Sequence, residues 1–146
     1  MYRASVLFVC VHNSARSQMA EAYLNRFGEE KFRAESAGLE PGILNPLVVE
    51  VMKEDGIDIS RNTPKSVTRF QRGGRQFTYV ITVCDEASAE KCPIFPGKGE
   101  RLHWEFPDPS AFTGSREDRL IRTREVRNLI KATVKRFIAT TVVEKE

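Results

Sequence analysis

The run Val6-Leu7-Phe8-Val9-Cys10-Val11-His12-Asn13-Ser14-Ala15-Arg16-Ser17-Gln18-Met19-Ala20-Glu21 changes character twice. Ser5 to Val11 carries no charge and is rich in β-branched and aromatic residues, the pattern of a central parallel strand covered on both faces. A helix is predicted to begin near Ser17, to keep Met19, Ala20, Tyr23, Leu24 and Phe27 on one stripe, and to stop at Gly28. A strand that ends in cysteine and becomes a helix within a few residues leaves the N–H groups of residues 11 to 16 without intrahelical partners. Those donors, with the positive end of the helix dipole, predict a seat for a tetrahedral anion.

Val11, His12, Asn13, Ser14, Ala15 and Arg16 are therefore the candidate anion-binding residues. Arg16 adds a planar, bidentate fork suited to a phosphate-like oxyanion. Asn13 is a residue type that tolerates the left-handed backbone a tight loop demands. The same field is expected to favour the Cys10 thiolate, with Ser17 donating a hydrogen bond to the sulfur. A lone cysteine at a strand end is most often structural. Cys-x5-Arg-Ser between a strand and a helix outweighs that plainer reading.

Downstream, Phe32 to Gly38 reads as a second, more peripheral strand, and Asn45-Pro46 as an N-cap and first helical residue ahead of Leu47, Val48, Val51 and Met52. Thr63-Pro64 is a further predicted helix start, with Val67 and Phe70 on its buried side. Phe77 to Val83 is the second strongly apolar strand candidate and ends at Cys84. Asp85 to Gly99, with three of its residues glycine or proline beyond Cys92-Pro93, predicts a loop that holds Cys92. Glu100 to Phe106 is a last strand candidate, with Trp104 expected at the edge of the crevice. From Ser115 to Thr140 a long helix is predicted, with Val126, Leu129, Ile130, Val134, Phe137 and Ile138 inward and a solvated row of Arg and Lys outward. Alternating strands and helices predict an α/β fold: one domain over residues 1–146, with a mainly parallel four-stranded sheet and helices on both faces. Binding should occur at the carboxyl ends of the strands, where Cys10 and Cys84 both fall.

The composition fits a globular chain, with 40% apolar and 29% charged residues in 146. A net charge of +3 is too small to imply nucleic-acid binding without a recognition motif. No apolar run approaches the roughly 20 residues that cross a bilayer, and no export-type N-terminal pattern is present, so a cytoplasmic location without membrane association is expected. Three cysteines cannot form a fully paired disulfide framework, which favours reactive or redox chemistry. No Cys-x2-Cys or His-x3-His spacing marks a metal site, and no organic cofactor is expected.

The stretch Cys10-Val11-His12-Asn13-Ser14-Ala15-Arg16-Ser17 resembles the cradle of low-molecular-weight protein tyrosine phosphatases and of the thioredoxin-coupled arsenate reductases that share their fold. Three further stretches resemble the reductases in particular: Ser36-Ala37-Gly38 with Asn45-Pro46, Thr82-Val83-Cys84-Asp85 with Cys92-Pro93, and His103-Trp104 with Asp108-Pro109. The resemblance, over roughly residues 5 to 110, implies that arsenate binds in the cradle, with phosphate or sulfate as analogues. It implies Cys10 as nucleophile, Arg16 and Ser17 as its supports, Asp108 as proton donor, and Cys84 then Cys92 as successive thiols, with thioredoxin as reductant. A phosphatase acting on phosphate monoesters through a Cys10 phosphoenzyme is the alternative, and a non-catalytic anion-binding or redox-sensing module a third. The family also implies a potassium ion beside the cradle. Asn13, Glu21 and Ser36 match three ligand positions, whereas the fourth falls on Lys65, whose ammonium is expected to replace the ion.

Overall fold

The fold is described from a computed structural model, over residues 3–84 and 99–142. Strand β1 (Ala4–Cys10) leads into helix α1 (Arg16–Phe27), strand β2 (Phe32–Gly38), helix α2 (Pro46–Glu54) and the short helix α3 (Val67–Arg72). Strands β3 (Tyr79–Thr82) and β4 (Glu100–His103) follow, then a 3₁₀ turn (Pro109–Ala111) and the long helix α4 (Arg116–Thr140). The sheet order is β2-β1-β3-β4 and every described pairing is parallel. The α/β prediction holds, with β1 central and β2 at an edge.

Alternation along β1 divides the interior. Val6, Phe8 and Cys10 join a core with Met19, Ala20, Tyr23 and Leu24 of α1, Val48, Val51 and Met52 of α2, and Val126, Ile130 and Val134 of α4. Leu7 and Val9 face the other way, onto Val67 and Phe70 of α3 with Phe77 and Val80. Helices thus cover both faces, and each fully buried Val, Leu or Phe contributes about 1.5–3 kcal/mol. The free edge of β2 is blunted by Asn25, whose amide donates to Ala34 O (3.0 Å) and accepts from Ala34 N (2.8 Å).

Caps fall where side-chain chemistry places them. Asn45 accepts from Leu47 N and Pro46 opens α2, as the sequence predicts. The predicted start at Thr63-Pro64 is corrected to Val67, capped by Ser66. Residues up to 66 are held extended instead, because Gly38 N donates to Lys65 O (2.8 Å) and Gly38 bridges Ser66. Both late strands are shorter than predicted. β4 ends at His103; Trp104 N still donates to Thr82 O (2.8 Å), and its ring packs 5.6 Å from both Phe8 and Phe137. Phe27 and Leu129, expected inside, are 42% and 54% exposed. The basic row of α4 is no uniform solvated face either: Arg127 is buried and bonds Val51 O (2.8 Å) and Glu54 Oε1 (2.7 Å).

Candidate active site

The turn from β1 into α1 is shaped from outside. Carbonyls of Cys10, Val11, His12 and Ser14 accept from the N–H groups of Leu39, Glu40, Gly42 and Asn45 at 2.8–3.1 Å. Pinning these carbonyls outward leaves the loop amides to face inward, as an anion cradle requires. Gly38 lies against the loop so closely that a Cβ there would meet Asn13 N, His12 C and Val11 O at 2.8 Å each. Asn13 takes φ +53°, the left-handed conformation its residue type tolerates. The segment from Leu39 to Gly42 was not singled out in the sequence, because its contribution is backbone N–H, which any residue but proline supplies.

Cys10 sits at the floor with Asn13 N donating to its sulfur at 3.0 Å and Ser17 Oγ at 2.8 Å. Asn13 Nδ2 donates to the same Ser17 oxygen at 2.8 Å, which leaves the hydroxyl proton for the sulfur. Burial nevertheless pushes the Cys10 thiol up from its ordinary value, against the Ser17 hydrogen bond, the Arg16 charge and the amides of Asn13 and Ser17. Desolvation thus opposes the donors around the sulfur, a cost the linear sequence does not display. Arg16 is buried, donating from Nη1 to Phe106 O (3.3 Å) and facing Asp108 Oδ2 from Nη2 (3.5 Å). Asp108 also caps the 3₁₀ turn by accepting from Ser110 N (3.0 Å), which fixes its carboxylate beside the guanidinium. His12 stands at the rim, exposed, its Nδ1 2.9 Å from Glu40 O.

β3 carries the second thiol to the same place. Val9 is level with Thr82, and Val83 N donates to Val9 O at 3.0 Å, so Cys84 lies one residue beyond the level of Cys10 on the adjacent strand. Both cysteines are buried and belong to the same core cluster. Cys92 lies outside the described residues.

Beside the cradle, Ser36 Oγ donates to Glu21 Oε1 at 2.9 Å, and Lys65 Nζ stands 3.6 Å from the same oxygen. Burial pushes the Glu21 carboxyl up, with the Lys65 charge and the Ser36 hydroxyl pulling it back. Asn13 Oδ1 accepts from Lys65 N (2.9 Å) and Gln18 Nε2 (3.0 Å), which fills both of its lone pairs. This donor set does not fit a potassium ion. One ligand oxygen is saturated, another already faces an ammonium, and two unit charges 4 Å apart repel by about 4 kcal/mol at an effective dielectric of 20. Gln18, fully buried, was missed in the sequence; a glutamine flanked by buried positions in the first helical turn was the available signal.

A strand-loop-helix cradle with a cysteine floor, an arginine from the first helical residue and an aspartate delivered by a later turn defines a class of protein. The chain belongs to the low molecular weight phosphotyrosine protein phosphatase family, whose model matches residues 5–146. Within that family its similarity runs to arsenate reductases. The arsenate reductase of Shouchella clausii is 38% identical over 140 residues, covering 96% of this chain and 99% of the relative. The structure of arsenate reductase from Archaeoglobus fulgidus is 30% identical with a TM-score of 0.75, covering 92% of this chain and 98% of that one. The thioredoxin-dependent arsenate reductase of Corynebacterium glutamicum is 29% identical with a TM-score of 0.67, covering 96% of this chain and 62% of that longer one.

Proposed function

We propose that this protein is an arsenate reductase that works through a thiol cascade of Cys10, Cys84 and Cys92 and is regenerated by thioredoxin. The observation that carries this reading is the placement of Cys84 at the carboxyl edge of the strand adjacent to Cys10, in the same core. A phosphatase needs one nucleophile and water, whereas a two-electron reduction needs further thiols to carry the oxidising equivalents.

Arsenate sits on the amides of residues 11 to 16 and the Arg16 guanidinium, and phosphate or sulfate occupies the same seat as an analogue. The Cys10 sulfur attacks arsenic, and one arsenate oxygen leaves as water with a proton supplied by Asp108. Cys84 then attacks the Cys10 sulfur. The sulfur–arsenic bond breaks with its electron pair retained by arsenic, arsenite departs, and a Cys10–Cys84 disulfide remains. Attack of Cys92 on Cys84 returns Cys10 as a thiol and leaves a Cys84–Cys92 disulfide for thioredoxin to reduce. In sum, two thiols give up two electrons and two protons, and arsenate loses one oxygen as water.

Arsenate-dependent NADPH oxidation, coupled through thioredoxin and its reductase, tests the reading. Wild type turns over, and Cys84→Ser and Cys92→Ser each fall to background. Turnover that survives both substitutions removes the cascade. Weak phosphate-ester hydrolysis does not, because one cradle accepts both oxyanions.

A further inference from the structure

The link between Lys65 and the nucleophile runs through the backbone as well as the side chain. Lys65 N donates to Asn13 Oδ1 (2.9 Å), and Lys65 O accepts from Gly38 N (2.8 Å), the glycine that backs the cradle. Asn13 in turn donates its backbone N–H to the Cys10 sulfur and its side-chain amide to Ser17, which holds the same sulfur. The Lys65 ammonium anchors this segment from the other end against Glu21, and the two side chains are only 20% and 16% exposed. Glu21 is thereby given a permanent counter-charge. An open groove of about 540 Å³ along β2 reaches both groups, and its lining carries both signs of charge, Glu29 and Glu35 with Arg3 and Arg33. Without Lys65, Glu21 would lose the ammonium that faces it, and the groove would open its carboxylate to solvent ions.

We infer that Lys65 is a positioning residue whose tethered ammonium serves this chain as the monovalent cation of its cradle, so that Asn13 and Cys10 are held in place without potassium. A fixed charge has no dissociation equilibrium, and cradle geometry becomes independent of the salt around the protein. The inference rests on the proposed function only for its activity readout; the geometry of the nucleophile is measurable without arsenate or thioredoxin.

The experiment compares wild type, Lys65→Ala and Lys65→Met in potassium chloride and in tetramethylammonium chloride at one ionic strength. The readouts are the rate of Cys10 alkylation by iodoacetamide, mapped by peptide mass, the thermal midpoint, and kcat/KM for arsenate. Wild type gives the same values in both salts. Lys65→Ala, which removes the ammonium facing Glu21 and leaves the backbone bond to Asn13, reacts about 10-fold more slowly at Cys10 in tetramethylammonium and recovers when potassium seats against Glu21 in the vacated space, the scale seen when a supporting partner is removed. Lys65→Met, which removes the charge but keeps the stem, is slowed without recovery. A several-fold response of wild type to potassium overturns the inference, as does a Lys65→Ala protein that matches wild type in tetramethylammonium or one that potassium fails to restore. Should Lys65→Ala not fold, Lys65→Met carries the test: alkylation of Cys10 at the wild-type rate in both salts overturns the inference. Normal alkylation behaviour with no arsenate turnover would instead remove the reductase reading and leave this inference standing.

Discussion

Ser17 receives a hydrogen bond from Asn13 Nδ2 and directs its own O–H at the Cys10 sulfur, so one hydroxyl couples the loop conformation to the charge on that sulfur. The thiol is pushed up by burial and drawn down by these donors, with burial ahead. The thiolate fraction then rises with pH across the neutral range. Alkylation of Cys10 is expected to accelerate about tenfold per pH unit between pH 6 and 8. In Ser17→Ala the loss of a hydrogen bond to a charged sulfur, about 1.5–3 kcal/mol, slows the reaction at pH 7 at least about tenfold and moves the profile further to alkaline pH. A rate that has already levelled off below pH 7 in wild type would show that the donors prevail. Cys10, Arg16 and Ser17 were legible in the sequence because their spacing is fixed by the strand-to-helix turn itself. Gln18 and the Phe106 carbonyl were not, since each acts through backbone geometry or a packing position set by distant chain segments.

At the scale of elements, α2 and α4 are clamped by charge at the end of α2. Glu54 accepts from Arg124 at 2.8 Å through both of its oxygens and from Arg127 at 2.7 Å, and Asp55 accepts from Tyr23 (2.6 Å) and Lys131 (3.1 Å). Hydrogen bonds from Arg124 and Arg127 bring the Glu54 carboxyl down to about 2 from an ordinary 4.5. A group depressed on folding adds stability above its unfolded value and loses it as pH falls toward its folded one. The thermal midpoint should therefore fall between pH 4.5 and 2, and Glu54→Gln should fall less steeply over the same interval. Parallel curves for the two proteins would remove Glu54 from the account of acid unfolding. Arg127→Met, which strips a donor from Val51 O and a charge from Glu54, should lower the urea-unfolding free energy by about 2 kcal/mol. These contacts explain why hydropathy placed α4 correctly but misjudged its basic side. Residue type shows where an arginine tends to lie, whereas the acidic end of α2 decides which arginine is drawn inward. The start of α3 failed for a related reason: Thr-Pro is a local helix signal, but pairing with the end of β2 claims the chain through Ser66.

For the molecule as a whole, the order β2-β1-β3-β4 gathers Cys10, Arg16, the capping Asp108 and Cys84 toward one sheet edge, although Cys10 and Asp108 lie 98 positions apart. That convergence was readable from two apolar strands ending in cysteine, because parallel strands present their carboxyl ends together. Loop register and the depth of Cys10 burial were not, since both depend on how residues 39 to 45 and 106 to 108 close over the cradle. The central claim is that arsenic receives its two electrons from sulfur of this one chain, and a single turnover tests it. Fully reduced protein is mixed with arsenate in the absence of thioredoxin, then alkylated and mapped by mass spectrometry while arsenite is quantified. The account predicts about one arsenite per chain, a disulfide joining Cys84 and Cys92, and Cys10 recovered in alkylated form. Three alkylated cysteines with no arsenite, or the same disulfide formed equally without arsenate, would contradict it.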